Sequence, residues 1–170
     1  MAFKTPAQVA EAVVNMGKTK ASLPIATMII MGIFAGAYIG FGAELCTMIL
    51  TGTAEKTGLG VAKLLGGAVF SVGLMLVVIG GAELFTGNNL MIVGMVSNKI
   101  TAKEVAVNWF FVYLANFLGS LLLVYIMYKS NLWKTGANAN AATALGIAAG
   151  KVNLAWGEAF FRAIDRKSVV

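Results

Sequence analysis

The run from Glu83 to Asn89, ELFTGNN, places a carboxylate, a hydroxyl, a glycine and two carboxamides inside a long apolar stretch. From Leu64 to Val96 the chain otherwise suits a lipid bilayer. A regular helix would carry these groups through lipid without hydrogen-bond partners, at a cost of roughly several kcal/mol each. Irregular polar backbone is tolerated at membrane depth where protein covers it or where it lines a cavity. The run therefore predicts a broken transmembrane helix, an element typical of channels and transporters.

The composition supports a membrane protein and argues against other classes. Apolar residues make up 59% of the 170-residue chain, and charged residues make up only 12%. The formal net charge of +6 comes from basic residues spread over the segments between apolar stretches, which argues against nucleic-acid binding. The single cysteine, Cys46, excludes an intrachain disulfide, and the chain contains no histidine. With no nucleophile beside a base, no cluster of metal ligands and no nucleotide-binding glycine loop, we expect neither an enzyme nor a bound cofactor or metal.

Residues 1–22 are predicted to form an amphipathic surface helix. Thr5 suits the capping position, Pro6 suits the first helical position, and we expect the helix to end at Gly17. The first membrane span is predicted from Pro24 to Leu50, longer than the ~20 residues that a bilayer requires. Small residues along this span would allow close contact with another helix: Gly32, Gly36, Gly40 and Gly42.

The second and third spans follow. After a polar connection (Thr51–Gly60), the broken span is expected from Val61 to Ser97, too long for one straight crossing. A turn at Asn98–Glu104 leads to the third span, Val105–Tyr128. From Lys129 the chain becomes polar and rich in small residues, which predicts an exposed connection.

The last apolar segment is too short to cross a membrane. It opens at Trp156 and stops at Ile164, after about nine residues. Residues 23–164 are thus predicted to form a partial transmembrane domain, all-α, with three membrane helices of which the second is broken, plus the start of a fourth.

The sequence resembles the formate/nitrite transporter family at three places. The stretch Gly80–Asn88, GGAELFTGN, is similar to the signature of that family. Asn108-Trp109 and Asn116-Phe117-Leu118-Gly119 in the third span also fit the family pattern. So does Lys151, followed by a helix start that ends in Ala159–Ile164.

The resemblance implies an aquaporin-like fold of six membrane helices, built as two inverted three-helix halves, with the second and fifth helices broken. It also implies a homopentamer with one pore per protomer, which passes small monovalent anions such as formate, nitrite or hydrosulfide. The choice among these anions, and between a channel and proton-coupled transport, stays open. We expect an integral protein in contact with the lipid of a bacterial or archaeal inner membrane, with its N-terminus in the cytoplasm. Lysines are equally frequent on both sides, so their count gives no orientation.

The chain corresponds to the first half of that architecture and the opening of the fourth helix. After Ile164 the family continues into an apolar span, whereas residues 165–170 read DRKSVV. We expect these residues to reflect a frameshift, a truncated gene or an artificial boundary. A half-size protein that obtains its other half from another chain is the alternative.

Four apolar residues are assigned to a pore. Phe70 and Leu74 lie at helical spacing on one face that leads toward Gly81. In the family, the positions matching Phe70, Leu74, Leu84 and Phe85 line two constrictions, where bulky apolar walls gate by dewetting. Ordinary helix packing is the alternative for these side chains.

Two residues are candidates for contact with an anion. Thr86 offers a hydroxyl donor between the constrictions, with capping of the restarted helix as the alternative. The first backbone N–H groups of that helix would also suit an anion. By the resemblance, Lys151 supplies a positive field near the pore, with simple snorkelling to the membrane interface as the alternative.

Three residues are predicted to hold the break in place. Glu83 should face away from an anion pathway and accept hydrogen bonds from loop backbone or from a neighbouring helix. Gly87 and Asn88 are assigned to the structure of the break. Asn88, like Asn89, is expected to bond the interrupted backbone and not to touch substrate.

We therefore expect a membrane channel or transporter for small monovalent anions, incomplete as given. A non-conducting membrane fragment with an assembly or structural role is the alternative, and insertion without flux would distinguish it. A channel for water or neutral solutes is a weaker idea, because the chain lacks an Asn-Pro-Ala signature and its only prolines are Pro6 and Pro24.

Overall fold

The computed structural model describes residues 3–168, with side chains described up to residue 164. These residues form helices and the turns between them, and none of them is in a β-strand. The helices are α1 (Pro6–Ala21), α2 (Ile25–Leu50), α3 (Thr53–Thr57), α4 (Leu59–Ile79), α5 (Phe85–Asn88), α6 (Met91–Val96), α7 (Ala102–Lys129), α8 (Ala139–Val152) and α9 (Trp156–Ser168), with a 3-10 turn at Leu132–Lys134.

The chain divides into two compact units. The first consists of the residues up to Phe41 together with Gly73–Val124, and the second consists of Gly42–Val72 together with the residues from Tyr125 onward. The helices α2, α4 and α7 each contribute residues to both units.

Three of the described helices are long and apolar enough to cross a membrane: α2 with 26 residues, α4 with 21 and α7 with 28. The bounds of α2 agree with the predicted span Pro24–Leu50 to within one residue. The helix α7 starts at Ala102, earlier than the predicted Val105, because Thr101 and Glu104 form a capping box. In that box the amide of Thr101 donates to the Glu104 carboxylate at 2.6 Å, and the amide of Glu104 donates to the Thr101 hydroxyl at 3.3 Å.

The N-terminal helix α1 is longer than expected. A capping box between Thr5 and Gln8 opens it, in agreement with the predicted start. The predicted end at Gly17 is wrong, because the helix continues to Ala21. Gly17 is buried where α1 packs on α6, and an added Cβ there would lie 3.8 Å from the Cα of Gly94. Gly17 therefore lies within a helix–helix contact instead of at a helix end, and a Cβ there would make ordinary van der Waals contacts.

Two segments predicted as connections contain helices. The polar segment after Lys129 includes the 14-residue helix α8, whose many alanines favour helix formation in spite of its polar surroundings. The connection Thr51–Gly60 includes the short helix α3. The segment that begins at Trp156 is helical as α9, and this helix continues beyond Ile164 to Ser168.

The glycines of α2 allow it to pack backbone to backbone on α7 in the first unit. An added Cβ on Gly36 would overlap the backbone carbonyl of Asn116, and one on Gly119 would overlap the carbonyl of Ile33. A Cβ on Gly32 would lie 2.6 Å from the Cβ of Ala115. The prediction that α2 presents a small-residue face for close helix contact is therefore confirmed at these positions.

Replacing Gly36 by alanine should destabilise the protein by about 1–3 kcal/mol, because the methyl group forces the α2 and α7 backbones apart. Gly67→Ala is the matched control: it is also a helical glycine, but a Cβ there meets nothing within 4 Å. This control should be neutral or slightly stabilising, since alanine is the better helix former. Thermal unfolding in detergent would measure both, and equal stability of the two variants would contradict the close packing.

Candidate functional site

The helix α4 ends in a glycine-dependent turn just before the polar run. The amide of Gly81 donates to the carbonyl of Val78, and the amide of Ala82 donates to the carbonyl of Val77 at 3.0 Å. Gly81 has φ of +62°, a left-handed conformation that glycine adopts without strain. These bonds form a Schellman motif, completed by the contact of Ala82 with Val77. The turn explains why the helix stops at Ile79.

Residues 80–84 are not helical, and α5 starts only at Phe85. Two backbone groups of this region that no helix satisfies are bonded by neighbouring helices. The amide of Glu83 donates to the carbonyl of Met31 on α2 at 3.2 Å. The amide of Phe85 donates to the side-chain oxygen of Asn116 on α7 at 2.9 Å. The irregular backbone is thus held inside the protein by hydrogen bonds.

Asn116 is the central residue of this arrangement. In addition to accepting from Phe85, its side-chain nitrogen donates to the carbonyls of Glu83 at 2.8 Å and Gly32 at 2.9 Å. One carboxamide therefore links α2, the interruption and α7. In the sequence, Asn116 stands out only as part of the family-like stretch Asn116–Gly119, although a carboxamide on a long apolar helix is a signal that could have identified its role.

The carboxylate of Glu83 is buried in a polar cluster. One oxygen forms an ion pair with the ammonium group of Lys20 on α1 at 2.7 Å, and the other accepts from the side chain of Asn88 at 2.8 Å. The side chains of Glu83 and Lys20 are only 9% and 17% exposed. The predicted partners of Glu83 are loop backbone or a neighbouring helix. In the structure the neighbouring helix is α1, and the cationic nature of the partner, Lys20, is not predicted from the sequence.

Asn88 connects this cluster to α7. Its side-chain nitrogen also donates to Asn108 at 2.7 Å, and its backbone carbonyl accepts from the indole of Trp109 at 3.0 Å. Asn108 is fully buried and donates to the carbonyl of Lys20 at 3.2 Å. The expectation that the Asn88 side chain bonds the interrupted backbone is wrong, because it bonds two other side chains. Among the described residues its side-chain oxygen has no partner.

The predicted pore residues lie in different environments. Leu84 is half-buried against a small apolar cluster of Ala35, Val77 and Ala82. The ring of Phe85 makes edge contacts with Trp109 and Tyr113, at centroid distances of 5.8 and 5.3 Å.

Phe70 and Leu74 lie one turn apart on α4. Both are exposed, at 38% and 49%. No residue that the structure describes buries them in a core, so simple packing within the chain does not account for either.

Thr86 and Gly87 differ from expectation in their structural roles. Leu84 occupies the capping position of α5 and no side chain caps this helix, so the capping role considered for Thr86 is not found. Thr86 is exposed, and its hydroxyl and amide bond to none of the residues described. An added Cβ on Gly87 meets nothing within 4 Å, so neither a turn nor close packing requires glycine there. The glycine that the interruption requires is Gly81.

Lys151 lies in the second unit, in the last turn of α8, with its side chain exposed. It lines an open depression together with Arg162 and three apolar residues: Leu154, Ala159 and Ala163. Arg162 is ion-paired with Glu158 one turn away on α9. Two cationic side chains thus border one concave surface. Within the described residues, no three His, Cys, Asp or Glu side chains are close enough together to bind a metal ion.

Three long apolar helices, with buried polar residues that bond mostly to one another and to backbone, define the class of the protein. It is an all-helical integral membrane protein. A family model for the formate/nitrite transporters matches residues 7–165, and the chain belongs to this family.

The relatives include formate channels of two bacteria. The chain is 37% identical to the formate channel BtFdhC of Bacillus thuringiensis, over 96% of this chain and 62% of that protein. It is 35% identical to the formate channel FocA of Haemophilus influenzae, over 92% of this chain and 55% of that protein. A solved pentameric formate channel with formate bound is similar with a TM-score of 0.74 and 38% identity, over 80% of this chain and 53% of that one. The chain thus spans less than two thirds of the length of each of these proteins.

Relative to the number of residues changed, removing one partner of the buried ion pair should destabilise the protein more than removing both. We expect Lys20→Met or Glu83→Gln alone to lower the free energy of unfolding by about 3 kcal/mol, because each leaves a buried charge or its bonding partners unpaired. The double variant should lose less than the sum of the two. Unfolding in mixed detergent micelles would measure the free energy of unfolding of the parent protein, the two single variants and the double variant, which together form a double-mutant cycle.

The exposed pair Glu158–Arg162 provides the control for that cycle. Its side chains are 48% and 58% exposed, so Arg162→Met and Glu158→Gln should each change stability by no more than about 0.5 kcal/mol. Additive losses at Lys20 and Glu83, or equal effects for the two pairs, would show that the buried pair is not coupled.

Proposed function

We propose that this chain forms the wall of a membrane pathway for small monovalent anions, with formate as the first candidate and nitrite or hydrosulfide as related ones. Membership of the formate/nitrite transporter family and the names of the related formate channels support this function. The pathway belongs to a channel or transporter, not to an enzyme.

The observation that carries the proposal is which hydrogen-bond donors at the interruption are already bonded within the protein and which are not. The charge of the Glu83 carboxylate is balanced by Lys20, and the carboxylate lies within a buried polar cluster. The amide of Phe85 donates to Asn116, so this amide is not open to an anion, unlike the prediction for the first N–H groups of the helix. Thr86 alone combines an exposed hydroxyl and an amide that no described residue bonds. A partly dehydrated anion needs such neutral donors.

Four apolar side chains supply the proposed constrictions. Leu84 and Phe85 precede Thr86 directly, and Phe70 with Leu74 forms an exposed pair on α4. A narrow apolar wall excludes water and hydrated cations, and it passes a small anion only where donors replace the lost hydration.

Lys151 supplies the attracting charge in this proposal. Its ammonium group is exposed at the end of α8, and Arg162 borders the same depression. A positive vestibule raises the local concentration of anions before they enter an apolar constriction. Glu83 does not oppose this field, because its charge is balanced by Lys20.

The proposed architecture follows the family. Residues 80–84 interrupt the second membrane helix, and α2, α4–α6 and α7 form the first inverted repeat of an aquaporin-like six-helix fold. Residues 1–22, of which Pro6–Ala21 form α1, are the N-terminal surface segment, residues 23–164 are part of the channel domain, and the sequence of residues 165–170 is atypical for the family. The assembly is a homopentamer in a bacterial or archaeal inner membrane, with the N-terminus in the cytoplasm. The similarity to a pentameric formate channel supports the assembly.

The competing function is an assembly or structural role without conduction. The chain spans less than two thirds of the length of the related channels. Flux through the purified protein decides between the two.

The test is formate uptake into liposomes that contain the full chain, compared with empty liposomes. Uptake above the empty control is expected, and Thr86→Val should reduce it by about tenfold or more, because one hydrogen bond to a charged group is lost. Thr86→Ser keeps the hydroxyl and should retain most of the flux. Thr57→Val, at an exposed threonine of α3, is the control and should have no effect.

Two results would contradict the proposal. Uptake equal to that of empty liposomes, with the protein inserted and folded, would favour the non-conducting role. Full flux in Thr86→Val would show that this side chain does not contact the anion.

A further inference from the structure

A second buried polar cluster lies in the second unit, outside the site described above. Glu44 on α2 and Asn140 on α8 are 7% and 3% exposed. They are 96 residues apart in sequence, and the Asn140 side chain donates to one Glu44 carboxylate oxygen at 2.8 Å. The other carboxylate oxygen is buried and accepts no hydrogen bond within the part of the chain that is described. We call Glu44, Thr51, Asn140 and Thr143 the Glu44 cluster.

Two threonines strengthen the link between α2 and α8. The hydroxyl of Thr51, just after α2, lies 3.0 Å from that of Thr143 and 3.5 Å from the side-chain oxygen of Asn140. Each hydroxyl can also donate to a carbonyl four residues earlier, at 2.8 Å for Thr51 and 3.0 Å for Thr143. Each hydroxyl has one proton, so a hydrogen bond between the two helices forms when Thr51 donates to Thr143 or Asn140 instead of to Thr47.

The buried part of α8 is confined to its first turns. Asn140 is buried, and Ala141, Thr143 and Ala144 are half-buried, whereas residues 145–153 are all exposed. Lys151 lies eleven residues after Asn140, about 16 Å along the helix axis. Within the described residues, the buried contacts of α8 are therefore concentrated at its beginning, away from the Lys151 end.

Charge explains why a carboxylate stands at this position. The capping residue of α8, Asn138, makes no side-chain cap, and the first turn of α8 contains no acidic residue. Asn140 belongs to that first turn, so the Glu44 carboxylate lies at the positive end of the helix dipole. A glutamine would keep the hydrogen bond but would lose this attraction.

We propose that Glu44 is a positioning residue for Lys151: it fastens and orients the first turn of α8 and so fixes where the Lys151 ammonium group is presented. This inference rests on the proposed function, in which Lys151 attracts the anion. Glu44 itself does not contact the anion.

The first experiment measures formate uptake against formate concentration for the full chain in liposomes. Glu44→Ala should raise the half-saturating concentration about fivefold, the equivalent of one lost hydrogen bond, with a smaller effect on the maximal rate. Glu44→Gln should raise it less, because it keeps an oxygen for Asn140. In a Lys151→Met background, Glu44→Ala should have no further effect. Glu55→Ala, which removes an exposed carboxylate of the same unit, is the control and should not change uptake.

The second experiment reads the position of α8 without any flux. In a Cys46→Ala background, spin labels at Lys56→Cys and Val152→Cys, both exposed and both in the second unit, report one distance distribution. Glu44→Ala and Asn140→Ala should broaden this distribution, whereas Glu55→Ala should leave it unchanged.

The outcomes separate the two proposals. If the parent protein conducts no formate, the proposed function fails, and the distance distribution still decides whether Glu44 positions α8. An unchanged distribution in Glu44→Ala overturns the positioning role. So does an effect of Glu44→Ala that persists at full size in the Lys151→Met background. If Glu44→Ala fails to fold, the same comparisons are made with Glu44→Gln.

Discussion

The structure of the first unit depends on one constraint: an irregular backbone inside an apolar environment must have its polar groups bonded by protein. Residues 80–84 leave the helical hydrogen-bond pattern, and Asn116 replaces part of what is lost by bonding the carbonyl of Glu83 and the amide of Phe85. The close approach of α2 and α7 at Gly36 and Gly119 brings this carboxamide near enough to do so. The glycines and the asparagine therefore act together, since the short side chain of Asn116 cannot reach across helices that are separated by bulky residues.

Charge compensation is the second requirement at the interruption. In the proposed function, an unbalanced carboxylate next to the pathway would repel the anions that pass. Lys20 provides that balance from the end of α1, and Asn88 and Asn108 extend the bonding to α5 and α7. The N-terminal helix is thus bonded to the interruption through an ion pair, which gives the surface helix a part in the local electrostatics of the site. What remains accessible at α5 is the neutral pair of donors on Thr86.

Local patterns in the sequence predicted the long helices and the glycine face of α2, because apolar length and small-residue spacing are local signals. They also predicted a break at the polar run Glu83–Asn89, and α4 ends just before this run, at Ile79. The Lys20–Glu83 pair was not predicted, since its residues are 63 positions apart and share no periodicity. Gly87 was selected instead of Gly81, because the sequence does not show which glycine has the left-handed conformation. The helix α8 was missed, because polar and small residues were given more weight than the helix propensity of alanine.

Amide hydrogen exchange of the full chain in lipid, resolved for Ala82 and Phe85, tests most directly whether Asn116 holds the interruption in place. Both amides should be protected in the parent protein, because Ala82 donates to Val77 and Phe85 donates to the Asn116 side chain. In Asn116→Leu, Phe85 should lose its protection while Ala82 keeps it, since the turn at the end of α4 is independent of Asn116. Unchanged protection of Phe85 in this variant, or no protection in the parent protein, would contradict the claim that Asn116 holds the interruption in place.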